Sequence, residues 1–548
     1  MLNIDIIMLN YFINHKSKTV NRAAGILTIS AVISRFLGVV RDWLLANNFG
    51  AGSELDIYFT AFKVPDFIYN ILILGGILVA FLPLFSEYFS KNKEEAWEFV
   101  SNCLNVFIVL TGLLALFLFF LAPFLVQFVA PGFNAAQIEK AVILTRIMLL
   151  SPVFFGLSSI FSGVLQYFNR FLIYSLCPIF YNLGIIFGIL FLSPKIGILG
   201  VVFGVILGAF LHFAIQVPSA LSCGFRYKRI INFKDSRIKR VFSLMIPRMF
   251  GVSVQQINLI VTNAIASTLT SGSITIFNFS NNIQYFPIGI IGIPFAVAAF
   301  PALSKSCAED REEDFINDFF VIFNKIIYFI LPVTALIFVL RNQIIRILLQ
   351  GGLFSVLSAQ LASSSLALFC IGILASSLIP LLFRAFFSLK DTKTPTLIAV
   401  FSMLVNIGLS FLFTYQESFL HVFLKDVFSF EKVTNVLVLG LPLAFSLSAI
   451  IQFFLMLFFL KTKLQKLNLK IIYNHFLKVL TASSIVMLIG YLLISSIRLM
   501  FSQSLIINVL QIFGVTLIGI LVYLLTTFIL KVPTTELLLD RLLRNEKN

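Results

Sequence analysis

Residues 103–125 read CLNVFIVLTGLLALFLFFLAPFL, a run of 23 residues without a charged side chain. A helix that crosses the hydrocarbon core of a bilayer needs roughly 20 mostly apolar residues. A strand of a membrane barrel would instead alternate apolar and polar residues over segments of about 10. The run is longer than that and continuously apolar, so it predicts a membrane-spanning helix.

The rest of the chain repeats this pattern. Fourteen segments read as spanning helices, at 24–46, 58–86, 97–125, 140–168, 172–193, 196–217, 240–270, 274–303, 315–340, 361–388, 395–414, 434–460, 474–498 and 504–530. The predicted fold is an all-α integral membrane protein with about 14 transmembrane helices. An even number of spans places both termini on the same side of the membrane.

The composition excludes other classes of protein. Only 12% of the 548 residues are charged and 59% are hydrophobic, whereas a soluble protein carries about 25% charged residues. A soluble fold, a disordered chain and a soluble domain on a single anchor are therefore excluded. Cytoplasmic loops that face anionic membrane lipids explain the net charge of +16 better than nucleic acid does, and we expect no nucleic-acid partner.

The distribution of basic residues predicts the orientation. With the amino terminus inside, the inner segments hold 25 Lys and Arg residues and the outer segments hold 7. Cytoplasmic loops are enriched in basic residues. We therefore expect a multi-pass protein of the bacterial cytoplasmic membrane with both termini in the cytoplasm.

Short matches recur in the same order in the two halves of the chain. At shifts of 213 to 218 residues, they pair 35–39 with 248–252, 79–86 with 297–304, and 158–159 with 376–377. They predict a parallel repeat of two six-helix lobes, followed by an added helix pair. The predicted domains are a cytoplasmic segment 1–23, an N-lobe 24–217, a basic linker 218–239, a C-lobe 240–460, helices 13 and 14 at 461–530, and a cytoplasmic tail 531–548.

The first helix concentrates charge at membrane depth. Arg35, Arg41 and Asp42 share this span, and helical spacing puts Ser34 on the face of Arg41. Asp42 can offset only one arginine, so a surplus positive charge remains, while Asp56 opens helix 2 from the outer side. Two interpretations stay open. The charges form an anion-binding cavity, since the arginine fork suits phosphate, or they form an internal salt bridge between helices 1 and 2.

Helix-breaking residues occupy matching positions in the two halves. Helix 2 contains Gly75 and Gly76, and helix 8 contains Gly289, Gly292 and Pro294. Interrupted helices at matching positions often mark a transport site and its hinge. Close helix packing through small residues is the alternative.

Five motifs carry a resemblance to a known family. They are SRFLGVVRD at 34–42, FGAG at 49–52, FKVP at 62–65, AFLP at 80–83 and RAFFSLKDTKTP at 384–395. Over residues 22 to 460 the chain resembles the MurJ (MviN) lipid II flippases, of the two-lobed multidrug/oligosaccharidyl-lipid/polysaccharide exporter superfamily.

The resemblance implies a V-shaped cavity between two six-helix bundles. It implies that lipid II, the undecaprenyl-pyrophosphate-linked peptidoglycan precursor, moves from the inner to the outer leaflet by alternating access for cell-wall synthesis. Helices 13 and 14 would supply a groove for the lipid tail. The family's first-helix arginines carry over onto Arg35 and Arg41, and its helix-2 aspartate onto Asp56.

The chain departs from the family at several positions. Tyr69 and Asn70 stand where the family often has one or two basic residues, and Asn282 stands where it has an arginine. The departures leave the lipid-linked substrate open. Arg248 is the repeat partner of Arg35, and two interpretations of it stay open. It supplies a positive charge to the anion-binding cavity from the second lobe, or it is an interfacial arginine at the start of helix 7.

Alternative functions follow from these departures. One alternative is the export of another polyprenyl-linked glycan or of an amphiphile. The other is a transport-inactive scaffold for cell-wall synthesis enzymes. These enzymes are therefore candidate partners. An enzyme is not expected, because acid–base chemistry in the membrane needs His or paired carboxylates. The five Cys and four His are scattered, so we expect neither a metal site nor a cofactor. Coupling to an ion or to the membrane potential is left open.

Overall fold

The computed structural model describes residues 20–415, 436–500 and 504–536. These residues form a succession of helices, and no strand occurs within the described ranges. The helices are α1 Val20–Phe49, α2 53–91, α3 Lys93–Val129, α4 Ala135–Tyr167, α5 Phe171–Ile196, α6 Ile198–Ser222, α7 Ser236–Ser267, α8 Ser273–Ala308, α9 Glu312–Leu348, α10 Val356–Ser388, α11 Lys393–Thr414, α12 Val436–Lys463, α13 Leu469–Met500 and α14 Leu505–Ile529. Each predicted span overlaps one of them.

The prediction of an all-α membrane protein is confirmed. Eleven of the described helices are long and apolar enough to cross a membrane. The other three, α1, α2 and α7, each include residues whose side chains lie outside the described part. The count of fourteen spanning helices therefore stays a prediction.

The contacts divide the chain into two units, residues 1–274 and 275–548. In the first unit, glycines four residues apart let α5 and α6 pack closely, because the helix backbones can then touch. A Cβ on Gly188 would lie 2.6 Å from the Cα of Gly204, and one on Gly184 would clash with the backbone of Gly208. The same helix pair therefore tolerates no side chain at this seam.

In the second unit, α13 and α14 are bound to α9 by polar contacts. On α13, Nε2 of His475 lies 3.2 Å from the backbone oxygen of Asn324. Tyr523 Oη donates to the backbone oxygen of Tyr328 at 2.6 Å, and Gln343 Nε2 donates to Gln511 Oε1 at 2.9 Å. Buried hydrogen bonds of this kind hold membrane helices together, because lipid tails offer the polar groups no alternative partner. The added helix pair is thus part of the second unit.

The predicted domain boundaries stay a prediction. Residues 1–19, 416–435 and 537–548, which include most of the predicted amino-terminal segment and most of the predicted tail, lie outside the described residues.

Candidate functional site

Arg41 joins α1 to α5 in a polar network. Its Nε and Nη2 donate to Asp42 Oδ1 at 3.0 and 2.8 Å, and its Nη1 donates to Asn182 Oδ1 at 3.2 Å. Asn182 Nδ2 donates in turn to the backbone oxygen of Ser34 at 3.2 Å. Ser34 and Arg41 therefore contact the same residue, as expected for two side chains on one helical face. The ion pair between Arg41 and Asp42 lies within α1.

The Arg41 side chain is not fully enclosed by protein. Its side chain keeps 24% of its surface exposed, and that of Asp42 keeps 16%. Arg35 lies six residues earlier in α1, about 9 Å along the helix axis, and is half-buried. Partly exposed arginines inside a membrane helix face a polar or water-filled space, because a charge facing lipid costs several kcal/mol.

A second charged pair lies on α2. Asp66 is within electrostatic range of Lys63 on its own helix and of Arg41 on α1. The charges of this part of the two helices sum to one surplus positive charge. They are Arg35, Arg41 and Lys63, with Asp42 and Asp66. The surplus inferred for α1 alone is therefore preserved when the neighbouring pair of Lys63 and Asp66 is added.

Asp56 occupies a different place, in the first turn of α2. Its side chain is 3% exposed, and its Oδ2 accepts a hydrogen bond from the backbone N–H of Gly272 at 2.6 Å. Gly272 lies in the turn between α7 and α8 with a φ of +94°, and a Cβ there would lie 2.6 Å from the backbone oxygen of Ala51. Only glycine fits this left-handed, crowded position.

The same end of α7 is bound at two further points. Asn263 Nδ2 donates to Thr60 Oγ1 on α2 at 3.2 Å and to the backbone oxygen of Val129 on α3 at 3.1 Å. The backbone N–H of Gly132 donates to Ser267 Oγ at 3.1 Å. We call these contacts, together with the hydrogen bond between Asp56 and Gly272, the α7 clasp. It ties the carboxyl end of α7 to α2 and to the end of α3.

The residues predicted as hinges coincide with irregular helix. The described residues include three π-helical segments, and two of them hold predicted hinge residues, whereas the third, Gly188–Leu192, holds none. This geometry is rare and is often found at functional sites. Gly75 and Gly76 lie in the π-helical segment Tyr69–Ile77, Gly289 and Gly292 lie in the segment Ile288–Gly292, and Pro294 lies in the first turn of the α-helical part that follows. The hinge role itself stays a prediction.

The two glycines whose surroundings are described differ in their neighbours. A Cβ on Gly76 would lie 2.5 Å from Cε of Met245, the flexible end of a side chain. A Cβ on Gly292 would lie 2.8 Å from the backbone oxygen of Ser377 on α10. Gly292 therefore permits a close approach of two helices, in line with the packing alternative, whereas Gly76 does not require one.

Tyr69 and Asn70 make no described hydrogen bond to Arg41, Asp42 or Asn182. The side chain of Arg248 lies outside the described residues, although its backbone belongs to α7. Tyr69 is half-buried, and Asn70 Nδ2 donates to the backbone oxygen of Asp66 at 2.8 Å. Asn282 is exposed. The positions at which the family often has basic residues thus hold neutral side chains in α2 and α8.

Sequence reasoning missed Asn182 and Asn263, which connect the helices of the site. Both are buried, with 7% and 3% of their surface exposed. A single asparagine within an apolar span was the available signal, because polar side chains in such spans usually bond to another helix. The partner helix was not predictable from that signal.

The chain is similar in sequence to known membrane proteins. The model of the family described as "Lipid II flippase MurJ" matches residues 45–511. A protein of Vibrio cholerae named probable lipid II flippase MurJ is 29% identical over 73% of this chain and 78% of its own length. A protein of Borreliella burgdorferi with the same name is 30% identical over 70% of this chain and 76% of its own.

Solved structures show the same fold. A structure described as lipid II flippase MurJ in an inward closed conformation matches with a TM-score of 0.74 and 26% identity, over 92% of this chain and 98% of that one. An inward-facing multidrug resistance transporter of the MATE family matches with a TM-score of 0.65 and 14% identity, over 81% of this chain and 99% of that one. The second likeness concerns the fold alone.

Proposed function

Because the chain belongs to the lipid II flippase MurJ family, we propose that it moves lipid II from the inner to the outer leaflet of the bacterial cytoplasmic membrane. The family match and the relatives' names support the substrate. The observation in the structure that carries the proposal is the partly exposed Arg41 network with its surplus positive charge. The protein is a transporter rather than an enzyme on this proposal, and it uses no cofactor.

The chemistry of the Arg41 network suits a pyrophosphate. Asp42 occupies the Nε and Nη2 side of the guanidinium, while Nη1 donates to the neutral side chain of Asn182. An amide oxygen is a weaker acceptor for a guanidinium than a phosphate oxygen, because only the phosphate carries a charge opposite to that of the arginine. A pyrophosphate therefore displaces Asn182 at a net gain, and Arg35 adds a second positive charge on the same helix.

The α7 clasp suits a gate. Alternating access requires that contacts at one end of the cavity break while those at the other end form. Asp56 contributes a strong hydrogen bond from a backbone N–H to the clasp, so loss of its carboxylate should weaken the clasp. We assign Asp56 to the outer gate rather than to direct contact with the pyrophosphate. The outer position rests on the proposed orientation, with both termini in the cytoplasm.

Complementation of a strain depleted of its own lipid II flippase tests the proposal. Arg41→Ala should fail to support growth at wild-type membrane abundance, and Arg41→Lys should support it partially, because lysine keeps the charge and loses the fork. Arg146→Ala is the matched control. Arg146 also lies within a spanning helix, but it stacks on Phe119 at 4.6 Å outside the network.

The control variant should grow like the wild type. Full growth with Arg41→Ala at equal abundance would contradict the role of the network. Failure of the wild-type chain itself, despite normal membrane insertion, would point to the alternative of a different polyprenyl-linked substrate or of a scaffold for cell-wall enzymes.

A further inference from the structure

The connection between α6 and α7 is fixed to α3 by buried asparagines. Asn105 Nδ2 donates to the backbone oxygens of Lys228 and Ile230 at 3.2 and 2.9 Å. Asn102 Oδ1 accepts from the backbone N–H of Asn232 at 2.8 Å, and its Nδ2 donates to the backbone oxygen of the same residue at 3.1 Å. Asn102 is fully buried and Asn105 is 5% exposed. Residues 226–234, here called the basic loop, therefore have a defined conformation.

The charges of this connection are only partly neutralised. The connection and the start of α7 hold seven basic residues. Three of them form ion pairs within the first unit, namely Lys228 with Glu98, Arg237 with Asp235 and Arg240 with Glu87. The other four, Arg226, Arg229, Lys234 and Lys239, are exposed and form no ion pair with any residue that the structure describes. Four positive charges thus stand free on a fixed surface.

Apolar side chains are exposed between these charges. Tyr227, Ile231 and Phe233 expose 55%, 58% and 46% of their surfaces. The hydroxyl of Tyr227 is bound to Asn105 Oδ1 at 2.8 Å, so its ring is held in place. An alternation of cations with aromatic and aliphatic side chains is typical of segments that lie in the interface of an anionic membrane.

We propose that the basic loop, together with Lys239, is a docking surface for the anionic phospholipids of the cytoplasmic leaflet. The four free cations meet the lipid phosphates, and Tyr227, Ile231 and Phe233 enter the boundary between headgroups and acyl chains. The proposal is independent of the substrate that the protein transports. The assignment of the loop to the cytoplasmic leaflet depends on the proposed orientation, with both termini in the cytoplasm. α7 begins at Ser236, directly after the loop, so bound lipid holds the end of α7 opposite to the clasp.

Native mass spectrometry of the full chain in neutral detergent tests this proposal, with phosphatidylglycerol as the probe and phosphatidylcholine as the neutral reference. The first variant replaces Arg226, Arg229, Lys234 and Lys239 with Gln. The control variant makes the same change of net charge in the second unit, where Lys390, Lys393, Lys461 and Lys470 are also exposed and unpaired among the described residues.

Each basic residue near an anionic surface contributes about fivefold in affinity. The loop variant should therefore bind phosphatidylglycerol well over tenfold more weakly than the wild type. The control variant should lose less, because its lysines are not accompanied by the exposed Tyr227, Ile231 and Phe233. Phosphatidylcholine binding should not change. Equal losses in the two variants would show that only net charge matters, and would overturn the proposal. The replaced side chains make no described hydrogen bond, so both variants should keep the thermal stability of the wild type.

A second pair of measurements distinguishes phospholipid docking from capture of the transported substrate. Ile231→Ser with Phe233→Ser keeps every charge, and it should weaken phosphatidylglycerol binding by about tenfold, because two side chains leave the acyl boundary. Undecaprenyl pyrophosphate is titrated in parallel. If the Gln variant loses that lipid and keeps phosphatidylglycerol, the loop captures the substrate, and the phospholipid proposal is wrong.

Discussion

Removal of the Asp56 carboxylate should weaken the α7 clasp at the turn around Gly272. In Asp56→Ala the backbone N–H of Gly272 loses an acceptor at 2.6 Å in a region where Asp56 is 3% exposed. A hydrogen bond to a charged group contributes about 1.5–3 kcal/mol, and a buried donor without an acceptor costs a similar amount. The opening equilibrium of this turn should therefore shift by roughly 10- to 150-fold.

Amide hydrogen exchange measures this shift directly. Exchange of a native amide follows the local opening equilibrium, so peptides that cover the turn around Gly272 should exchange faster in the variant by that factor. Glu54→Ala is the matched control, because Glu54 lies in the same turn of α2. It forms a half-exposed ion pair with Lys140, which contributes at most about 1 kcal/mol, or roughly fivefold.

Unchanged exchange at the turn in Asp56→Ala would refute the clasp. Equal acceleration in both variants would show that the start of α2 loosens as a whole. A clasp that acts as the outer gate also predicts that Asp56→Ala supports growth poorly at normal membrane abundance.

Two other changes have defined outcomes. Gly292→Ala should lower the free energy of unfolding of the detergent-solubilised protein by about 1–3 kcal/mol, because the added methyl group is packed too tightly against the backbone of Ser377. Gly76→Ala should be nearly neutral. Equal melting temperatures of the two variants would contradict this difference. Burial opposes the charge of Asp391, but hydrogen bonds from the following turn and from Lys463, 2.9 Å away, outweigh it and lower the pKa of Asp391 to about 2. The ionised carboxylate therefore contributes its full share to the free energy of unfolding above about pH 4. This contribution is lost as the pH falls toward 2. The melting temperature between pH 4 and 2 should thus depend less on pH in Asp391→Asn than in the wild type.

The sequence by itself determined the class of fold and the family. A spanning helix satisfies its own backbone hydrogen bonds, so length and apolarity suffice to predict it from a local stretch such as 103–125. The charges of α1 were equally visible, because an arginine in an apolar span stands out whatever surrounds it. The motifs at 34–42 and 384–395 predicted the family that the comparisons then identified.

Only the tertiary structure decided which residues meet. Arg41 and Asn182 are 141 residues apart, and Asp56 and Gly272 are 216 apart. Hydropathy is the same on every side of a spanning helix in lipid, so it does not specify the neighbouring helix. That choice depends on close packing of small residues and on single polar pairs between helices that are distant in sequence. Such pairs show that Arg41 and Asp56, both predicted as substrate-binding residues, belong to two different sites, the Arg41 network and the α7 clasp.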